Sequence, residues 1–413
     1  MMTIFSVKET KPAAEIVERR PPADIRVIGS GSGGSNAINH MISSGLSGVQ
    51  FIAVNTDKQH LDEMCDAKVK LHIGNNHTAG RGAGGDPSKG EDAANEDHSM
   101  INQALSGADM VFVTTGMGGG TGTGSAPVIA RIAKELGALT VGVVTTPFEV
   151  EGYEKMEIAE GGIKKLREAV DTLIIIPNEN LFKLIDRKMS VRQTFRYADD
   201  ILCQAVRGIS DLITKPGLIN TDFADVEATM KGQGDAHLGI GIGSGENRAI
   251  EAANGAIDNP LLEDISIEGA NRLLVNISGP DDIPMAEVRE ILNAIRAKVG
   301  VDAKLKFGIT FDHELGENVK VTVVATGFAH KNSAAAHGGI ASEKPKADPI
   351  PFISQEQFKE MKGQREKRFN DNFGFLKPRD SHDNLDIPTA LRKYNSELDS
   401  SPVGKTAFGG RDA

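Results

Sequence analysis

The chain has 413 residues and a formal net charge of -11. This length exceeds what one hydrophobic core usually serves, so we expect two domains plus tails. The negative charge argues against a general nucleic-acid-binding protein, and Cys65 and Cys203 lie too far apart in sequence to indicate a zinc cluster or a disulfide framework. No apolar run approaches the ~18 residues that span a bilayer, and the charged start lacks a secretory core, so the sequence predicts a cytoplasmic protein without direct membrane insertion.

Residues 1–23 contain Pro12, Pro21 and Pro22 and predict a flexible leader. From residue 24 onward, short apolar runs alternate with amphipathic patterns. Strands are predicted at 24–29, 48–55, 109–115, 139–146 and 172–177, and helices at 35–44, 125–137 and 155–170. This alternation predicts an α/β fold with a parallel sheet covered by helices on both faces.

A long helix is predicted at 190–212, because the following Lys215, Pro216 and Gly217 form a stop signal. The order of elements then changes and predicts a smaller α+β domain with a mixed sheet. The last two strands are separated by DHELGE, which predicts a hairpin. The predicted helices are 223–231, 247–256 and 285–299, and the predicted strands are 237–242, 272–278, 304–311 and 318–328.

The last part of the chain is polar and loses its periodicity, which predicts a disordered linker at 330–384. The segment LDIPTALRKY at 385–394 again combines apolar and basic residues and predicts a short recognition peptide. Residues 395–413 extend beyond it. The alternative is a disordered end without a binding role.

The segment GMGGGTGTGSAP at 116–127 follows a predicted buried strand and opens a helix. The first amides of a helix are unpaired and attract phosphate, and glycines let several amides approach one anion. Thr121 and Thr123 add hydroxyl donors. A flexible linker is the alternative, but linkers do not usually join a buried strand to an amphipathic helix.

A second loop, GSGSGGSN at 29–36, also opens a helix. Gly29, Gly31 and Gly34 satisfy GxGxxG, and Asp57 follows the next strand, so an NAD-dependent oxidoreductase is an alternative function. Two further glycine loops, at 82–85 and 118–124, fit a triphosphate better than a dinucleotide. The chain lacks a Walker loop, since its one GK[ST] string, at 404–406, has Asp399 in place of the leading glycine.

Asp222 and Asp225 lie three residues apart at the start of a predicted helix, hence on one face. By itself this pattern favours helix capping together with an acid placed well for the helix dipole.

The segment GMGGGTGTG resembles the signature of the tubulin/FtsZ superfamily, and the similarity to bacterial FtsZ is close over about 24–328. Further similar segments are VNTD, PFEVEG, IPNENL, ADDIL, GISDLITKPGLINTDFADV and LLVNISG. The resemblance implies a GTP-binding domain at 24–189, a central helix at 190–213 and an activating domain at 214–329. It also implies GTP or GDP with Mg²⁺ as ligands and GTPase activity.

The resemblance also implies individual roles. Ala83 and Gly84 would approach the γ-phosphate and Glu151 the ribose. Phe195 would stack on guanine, while Asp199 would accept from its N1 and N2 donors. The chain departs from the family at Ser32 and Ser35, where glycines are usual, and at Lys155, where arginine is usual. The implied nucleotide-binding residues are Gly33, Gly34, Asn36, Ala83, Gly84, Gly119, Gly120, Thr121, Gly122, Glu151, Lys155, Asn178, Phe195 and Asp199.

For catalysis, the resemblance implies that Asn220, Asp222 and Asp225 of one subunit reach the nucleotide of the next, where the aspartates orient the attacking water. Head-to-tail contacts of this kind need not close and produce filaments. The family's filaments form the division ring at midcell on the inner face of the membrane. A nucleotide-binding scaffold without hydrolysis is an alternative. Membrane tethers and division regulators would bind Leu385, Asp386, Ile387, Pro388, Leu391 and Arg392.

Overall fold

The structure is a computed structural model that describes residues 23–328 except 187, 216, 220, 260–266 and 301. Residues 1–22 of the predicted leader and everything from 329 onward, including the predicted linker and recognition peptide, lie outside the described residues. The described strands are β1 (Ile25–Ser30), β2 (Gln50–Asn55), β3 (Val69–His72), β4 (Met110–Gly116), β5 (Leu139–Thr146), β6 (Thr172–Pro177), β7 (Gly217–Ile219), β8 (Gly234–Gly243), β9 (Arg272–Gly279), β10 (Lys304–Phe311) and β11 (Val319–Thr326).

Helices pack against these strands. The described α-helices are α1 (Gly31–Ser43), α2 (Lys58–Met64), α3 (Asn75–Thr78), α4 (Pro87–Glu96), α5 (His98–Leu105), α6 (Gly120–Glu135), α7 (Tyr153–Ala169), α8 (Asn178–Leu181), α9 (Val191–Thr214), α10 (Phe223–Met230), α11 (Arg248–Ile257) and α12 (Met285–Val299). Seven of them begin within five residues of a predicted helix, whereas α2, α3, α4, α5 and α8 were not predicted.

The first six strands form a parallel sheet in the order β3-β2-β1-β4-β5-β6, which confirms the predicted parallel arrangement. Its central strands are buried along nearly their whole length; β4, for example, is buried from Met110 to Thr115. Strands covered on both faces need apolar residues at successive positions, which explains the runs in the sequence.

The second group of strands is mixed, as predicted, but one predicted pairing is absent. It continues from β6 as β8-β11-β9-β10-β7. The hairpin of β10 and β11 was a wrong prediction, because β11 pairs antiparallel with β8 and β9 whereas β10 pairs parallel with β9 and antiparallel with β7. Burial explains the placement: β11 is buried almost throughout and lies centrally, while β10 exposes Lys304 and Lys306 near the sheet edge.

The long helix α9 connects the two groups of strands. Ser190 and Gln193 form a capping box at its start, and it contacts α1, β5, β9 and β10. Its buried face includes Ala198, Leu202 and Ile209, which belong to the same apolar cluster as residues of β5 and β6. The strand pairing runs without a break from β6 to β8, so the boundaries at 189/190 and 213/214 stay predictions.

Two further observations concern membrane-spanning helices and the two cysteines. No helix in the described part of the chain is both long and apolar enough to cross a bilayer. Cys65 and Cys203 are both buried and carry free thiols.

Candidate functional site

A cavity of about 250 Å³ opens where the carboxyl ends of β4, β5 and β6 meet α9. Eight of the residues implied by the resemblance lie on its wall, namely Gly33, Asn36, Gly119, Glu151, Lys155, Asn178, Phe195 and Asp199. The remaining wall is formed by Gly116, Met117, Gly118, Thr145, Thr146, Pro147, Ala198 and Leu202.

One end of the cavity is formed by the starts of two helices. Neither α1 nor α6 has a side-chain cap or an acidic residue in its first turn. Their first amides therefore remain available, and the helix dipoles favour an anion there. An ideal Cβ at Gly119 would meet no other atom within 4 Å, so this glycine leaves open space in front of α6. The two predicted phosphate-binding loops thus converge on the same cavity.

Other glycines of these loops serve the packing of the protein itself and do not line the cavity. A Cβ at Gly34 would lie 2.7 Å from the Thr114 carbonyl oxygen, and one at Gly122 would lie 2.1 Å from Thr115 Oγ1. A Cβ at Gly120 would approach the Asp86 nitrogen at 2.8 Å. The glycines at these three positions therefore allow close contact between α1, α6 and their neighbours. A role of these three positions in binding an anion stays a prediction.

The two threonines of the larger loop are engaged within the protein. The Thr121 hydroxyl forms a 2.6 Å hydrogen bond with Thr56 Oγ1. Thr123 Oγ1 accepts from the Gly118 amide at 2.9 Å and so fixes the turn before α6. Neither residue lies on the cavity wall, and both are buried.

The loop with Ala83 and Gly84 lies beside the start of α6 but outside the cavity wall. A Cβ added at Gly120 would lie 2.9 Å from the Cβ of Ala83, so the loop packs directly against the first turn of α6. Gly84 has φ +63° and open space at its Cβ position. Asp86 then caps α4 by accepting from the Ser88 amide.

Another part of the cavity wall contains an aromatic ring, an amide and a carboxyl group. The Phe195 ring is 43% exposed and packs edge-on against Phe148 at 5.3 Å. Asn178 is only 5% exposed, yet its Oδ1 has no hydrogen-bond partner among the described residues. Burial raises the pKa of Asp199 to about 7. A buried acceptor without a partner and a carboxyl group with a perturbed pKa are typical of a ligand-binding site.

Glu151 and Lys155 form the side wall and pair with each other. Lys155 Nζ lies 3.2 Å from Glu151 Oε2, and Glu151 Oε1 accepts from the Phe148 amide at 3.0 Å. The carboxylate of Glu151 thus closes the short turn from Glu149 to Glu151. Both side chains reach the cavity, although both also have partners within the protein.

The predicted catalytic acids do not lie on the cavity wall. Asp222 is the N-cap of α10, where its Oδ1 accepts from the Asp225 amide at 2.8 Å, so the capping role favoured by the sequence is confirmed. Asp225 Oδ1 lies 2.7 Å from Lys306 Nζ. Asn220 lies outside the described residues. Within one described subunit, the acids and the cavity therefore belong to different parts of the molecule.

Sequence reasoning missed five residues of the wall, which lie outside the glycine loops: Thr145, Thr146, Pro147, Ala198 and Leu202. Thr145, Thr146 and Pro147 directly follow the carboxyl end of a parallel strand, which is the usual position of ligands in such sheets. Ala198 and Leu202 lie three and seven residues after Phe195, hence on the same face of α9. Both signals were present in the sequence.

The dinucleotide alternative receives no support from the geometry. Asp57, the candidate ribose ligand, caps α2 by accepting from the His60 amide at 3.0 Å. It is not among the residues on the cavity wall.

Comparison with known families identifies both halves of the chain. The model "Tubulin/FtsZ family, GTPase domain" matches residues 24–186, and "FtsZ family, C-terminal domain" matches residues 234–329. Among solved structures, the chain is 45% identical to an FtsZ dimer from M. jannaschii, covering 74% of this chain and 88% of that chain with a TM-score of 0.71.

Two more distant structures share the fold. One is the GDP-bound monomer of CetZ1 from Haloferax volcanii, with 21% identity, coverage of 74% of this chain and 95% of that chain, and a TM-score of 0.65. The other is a GTPγS-bound protofilament of CetZ2 from the same organism, with 21% identity and a TM-score of 0.62. That match covers 73% of this chain and 92% of that chain.

The FtsZ match at 45% identity spans most of both chains, and the two family models agree with the parallel and the mixed parts of the sheet. The chain therefore belongs to the FtsZ family, and it is a GTP-hydrolysing, polymerising protein of cell division.

Proposed function

We propose that the cavity binds GTP with its phosphates at the starts of α1 and α6 and its base at Phe195 and Asp199. The single observation that carries this proposal is the make-up of the cavity wall, which combines uncapped helix starts with a carboxyl group whose pKa is about 7. A nucleoside triphosphate has the complementary arrangement of an anion and a hydrogen-bonding ring.

Guanine is favoured over adenine by the acidic group at the base end. The guanine N1 and N2 groups both donate hydrogen bonds, and the ionised Asp199 accepts them; adenine has no such pair of donors. The unpartnered Oδ1 of Asn178 supplies a further acceptor, and Phe195 offers an exposed aromatic face for stacking. Glu151 and Lys155 also line the cavity, and we assign Glu151 to the ribose and Lys155 to the neighbouring part of the nucleotide.

At the phosphate end, we assign direct contacts to the main chain of Gly33 and Gly119, which lie on the cavity wall. Gly120, Thr121 and Gly122 form the first turn of α6 next to Gly119, and we assign their amides to the phosphates through the start of this helix. The loop with Ala83 and Gly84 lies against the start of α6, so it would face the terminal phosphate. Gly34 acts indirectly by bringing α1 close to β4. Asn36 also lies on the cavity wall, and we assign it to nucleotide binding next to the first loop.

Hydrolysis needs a group that orients water, and we propose that a second subunit supplies it. Asp222 and Asp225 lie at the start of α10, away from the cavity of their own subunit. Exposed apolar side chains support a contact at both places: Val150 and Tyr153 flank Glu151, and Leu218 lies on β7 just before α10. Such a contact is heterologous, so it extends into a filament.

Mg²⁺ fits this arrangement as an ion carried mainly by the nucleotide. The described residues contain no group of three or more His, Cys, Asp or Glu side chains arranged to hold a metal. Mg²⁺ typically keeps several waters and binds one or two carboxylates plus phosphate oxygens. Asp222 and Asp225 of the neighbouring subunit would provide the carboxylates, and the nucleotide would provide the phosphate oxygens. When bound, it neutralises phosphate charge and lets these acids approach.

The proposal predicts that two inactive variants restore activity when mixed. Asp222→Ser keeps an N-cap but removes the carboxylate, and Asp199→Asn weakens guanine binding. Each variant alone should hydrolyse GTP slowly. In an equimolar mixture, about one quarter of random contacts join the intact cavity of an Asp222→Ser subunit to the intact acids of an Asp199→Asn subunit, so the mixture should recover up to about one quarter of wild-type turnover. A mixture no faster than the two separate proteins would contradict shared active sites.

For the terminal peptide we propose binding of membrane tethers and division regulators at 385–394, and a location at the midcell division ring. Many copies of a weak peptide on one filament bind a partner with high avidity. Deleting 385–394 should leave GTP turnover unchanged while abolishing localisation of a fluorescent fusion to midcell.

A further inference from the structure

A lysine lies directly beside the two acids of α10. Lys306 Nζ is 2.7 Å from Asp225 Oδ1, which is within hydrogen-bonding distance. This hydrogen bond and the charges of Asp225 and Asp222 raise the pKa of Lys306 above its usual value. The ammonium group is therefore firmly charged, and it faces both acids.

Fold stability does not account for this pair. Lys306 is 48% exposed and Asp225 37% exposed at their side chains, and exposed ion pairs add little to the free energy of unfolding. Lys306 lies on β10 between the half-buried Leu305 and Phe307, so its side chain points to the opposite face from theirs. An apolar residue or a serine would also be tolerated at such a position.

The charge of the pair matters where a second subunit docks. If the start of α10 meets a bound triphosphate, two carboxylates approach several phosphate charges of the same sign. Lys306 offsets one of these carboxylates and holds it in a single orientation. Like charges facing each other across an interface weaken association, and a counter-charge at the rim relieves this repulsion in a salt-dependent way.

We propose that Lys306 is a positioning residue for Asp225 and that it lowers the electrostatic barrier to docking of a second, GTP-loaded copy of this chain. This inference rests on the proposed function of α10. It assigns Lys306 to the assembly of the active site, whereas Asp222 and Asp225 contact the reacting groups.

The test uses the full-length protein with Lys306→Met, and Lys304→Met as the matched control. Lys304 is exposed on the same strand and face, and the described residues show no ion pair for it. With GTP and Mg²⁺ at low salt, Lys306→Met should raise the critical concentration for sedimentable polymer about three- to tenfold. Lys304→Met should have a much smaller effect, Lys306→Arg should restore assembly, and high salt should reduce the difference.

Further measurements separate this inference from a structural effect and from the proposed function. GDP binding and the thermal midpoint of the Lys306→Met monomer should equal those of wild type. In an Asp225→Asn background, Lys306→Met should raise the critical concentration much less than it does in wild type, since Lys306 then offsets only the charge of Asp222. A critical concentration equal to that of Lys304→Met would refute the role of Lys306 alone. Normal turnover in Asp222→Ser would instead refute the shared active site itself.

Discussion

Replacing Asp199 by asparagine separates the stability of this protein from its affinity for nucleotide. Asp199 lies on the cavity wall, and burial raises its pKa from 3.8 to about 7. Asparagine has almost the same shape but never ionises. We therefore expect the variant to be more stable than wild type without ligand and to bind guanine nucleotides more weakly.

The magnitude follows from the pKa. Each pKa unit corresponds to about 1.36 kcal/mol, so ionising Asp199 costs at most about 4 kcal/mol more in the folded than in the unfolded protein. Water in the open cavity screens part of this, and we expect Asp199→Asn to raise the free energy of unfolding by about 2 kcal/mol at pH 8.

The sign of the pH dependence is determined by the raised pKa. Below the unfolded pKa of 3.8, Asp199 is neutral in both states and does not disfavour folding. Between there and about 7 the unfolded chain ionises first, so this residue makes the wild type less stable as the pH rises. Above the folded pKa the difference between wild type and Asp199→Asn becomes constant.

Nucleotide affinity should change in the opposite direction. Guanine requires the ionised carboxylate, so wild-type GDP affinity should fall about tenfold from pH 8 to pH 6. Asp199→Asn should bind GDP about ten- to a hundredfold more weakly at pH 8, because hydrogen bonds to charged groups are worth about 1.5–3 kcal/mol. Its affinity should not show the wild-type decline at acidic pH.

Chemical denaturation at pH 5 and pH 8, together with calorimetric titration with GDP, measures these quantities. Comparison with Asp199→Asn also controls for pH effects that arise from the phosphates of GDP, since both proteins bind the same ligand. The assignment of Asp199 to guanine would be refuted if wild type and Asp199→Asn bound GDP equally well at every pH and had the same free energy of unfolding at pH 8.

Three further experiments test the packing, a helix cap and the binding of the base. Gly162→Ala should destabilise the protein by about 2 kcal/mol, because its Cβ would lie 2.2 Å from Thr123 Cγ2. In the same helix, a Cβ at Gly161 meets nothing within 4 Å, so Gly161→Ala should stabilise the protein by about 0.5–1 kcal/mol. Thermal denaturation of both variants tests this, and equal midpoints would contradict it. Ser190→Ala should lower the free energy of unfolding by about 1 kcal/mol through loss of the α9 cap, and Ser190→Asp should restore it, as measured by urea titration. Phe195→Leu keeps an apolar side chain but removes the aromatic face, so GDP affinity should fall about tenfold while turnover at saturating GTP stays close to wild type; an unchanged affinity would exclude stacking.

The elements that the sequence predicted well are those whose pattern is local. The strand at 139–146 and the helix at 285–299 have the predicted bounds, since each carries its own periodicity and its own end signals. The start of α6 was predicted too late, at 125 instead of Gly120, because glycine and threonine have low helix propensity and only their packing against α4 and β4 makes the first turn helical.

Strand order could not be predicted in the same way. The segments that became β10 and β11 are adjacent in sequence, and a short polar connection favours a hairpin. In the protein β11 lies between β8 and β9, because its valines need cover on both faces, and the lysines of β10 favour a place near the edge. Pairing depends on which surfaces remain to be buried, and that is a property of the whole sheet.

By itself, the sequence determined the parallel sheet, the two glycine loops and the residue types suited to a guanine nucleotide, since strand patterns and helix starts are local properties. The tertiary structure alone decided which glycines face the cavity and which, like Gly122, allow the protein to pack. It also decided that Asp199 is buried enough to hold a proton near neutral pH and that Asp225 meets Lys306 across the fold. Burial and charge pairing are set by neighbours distant in sequence, and only the folded chain brings those neighbours together.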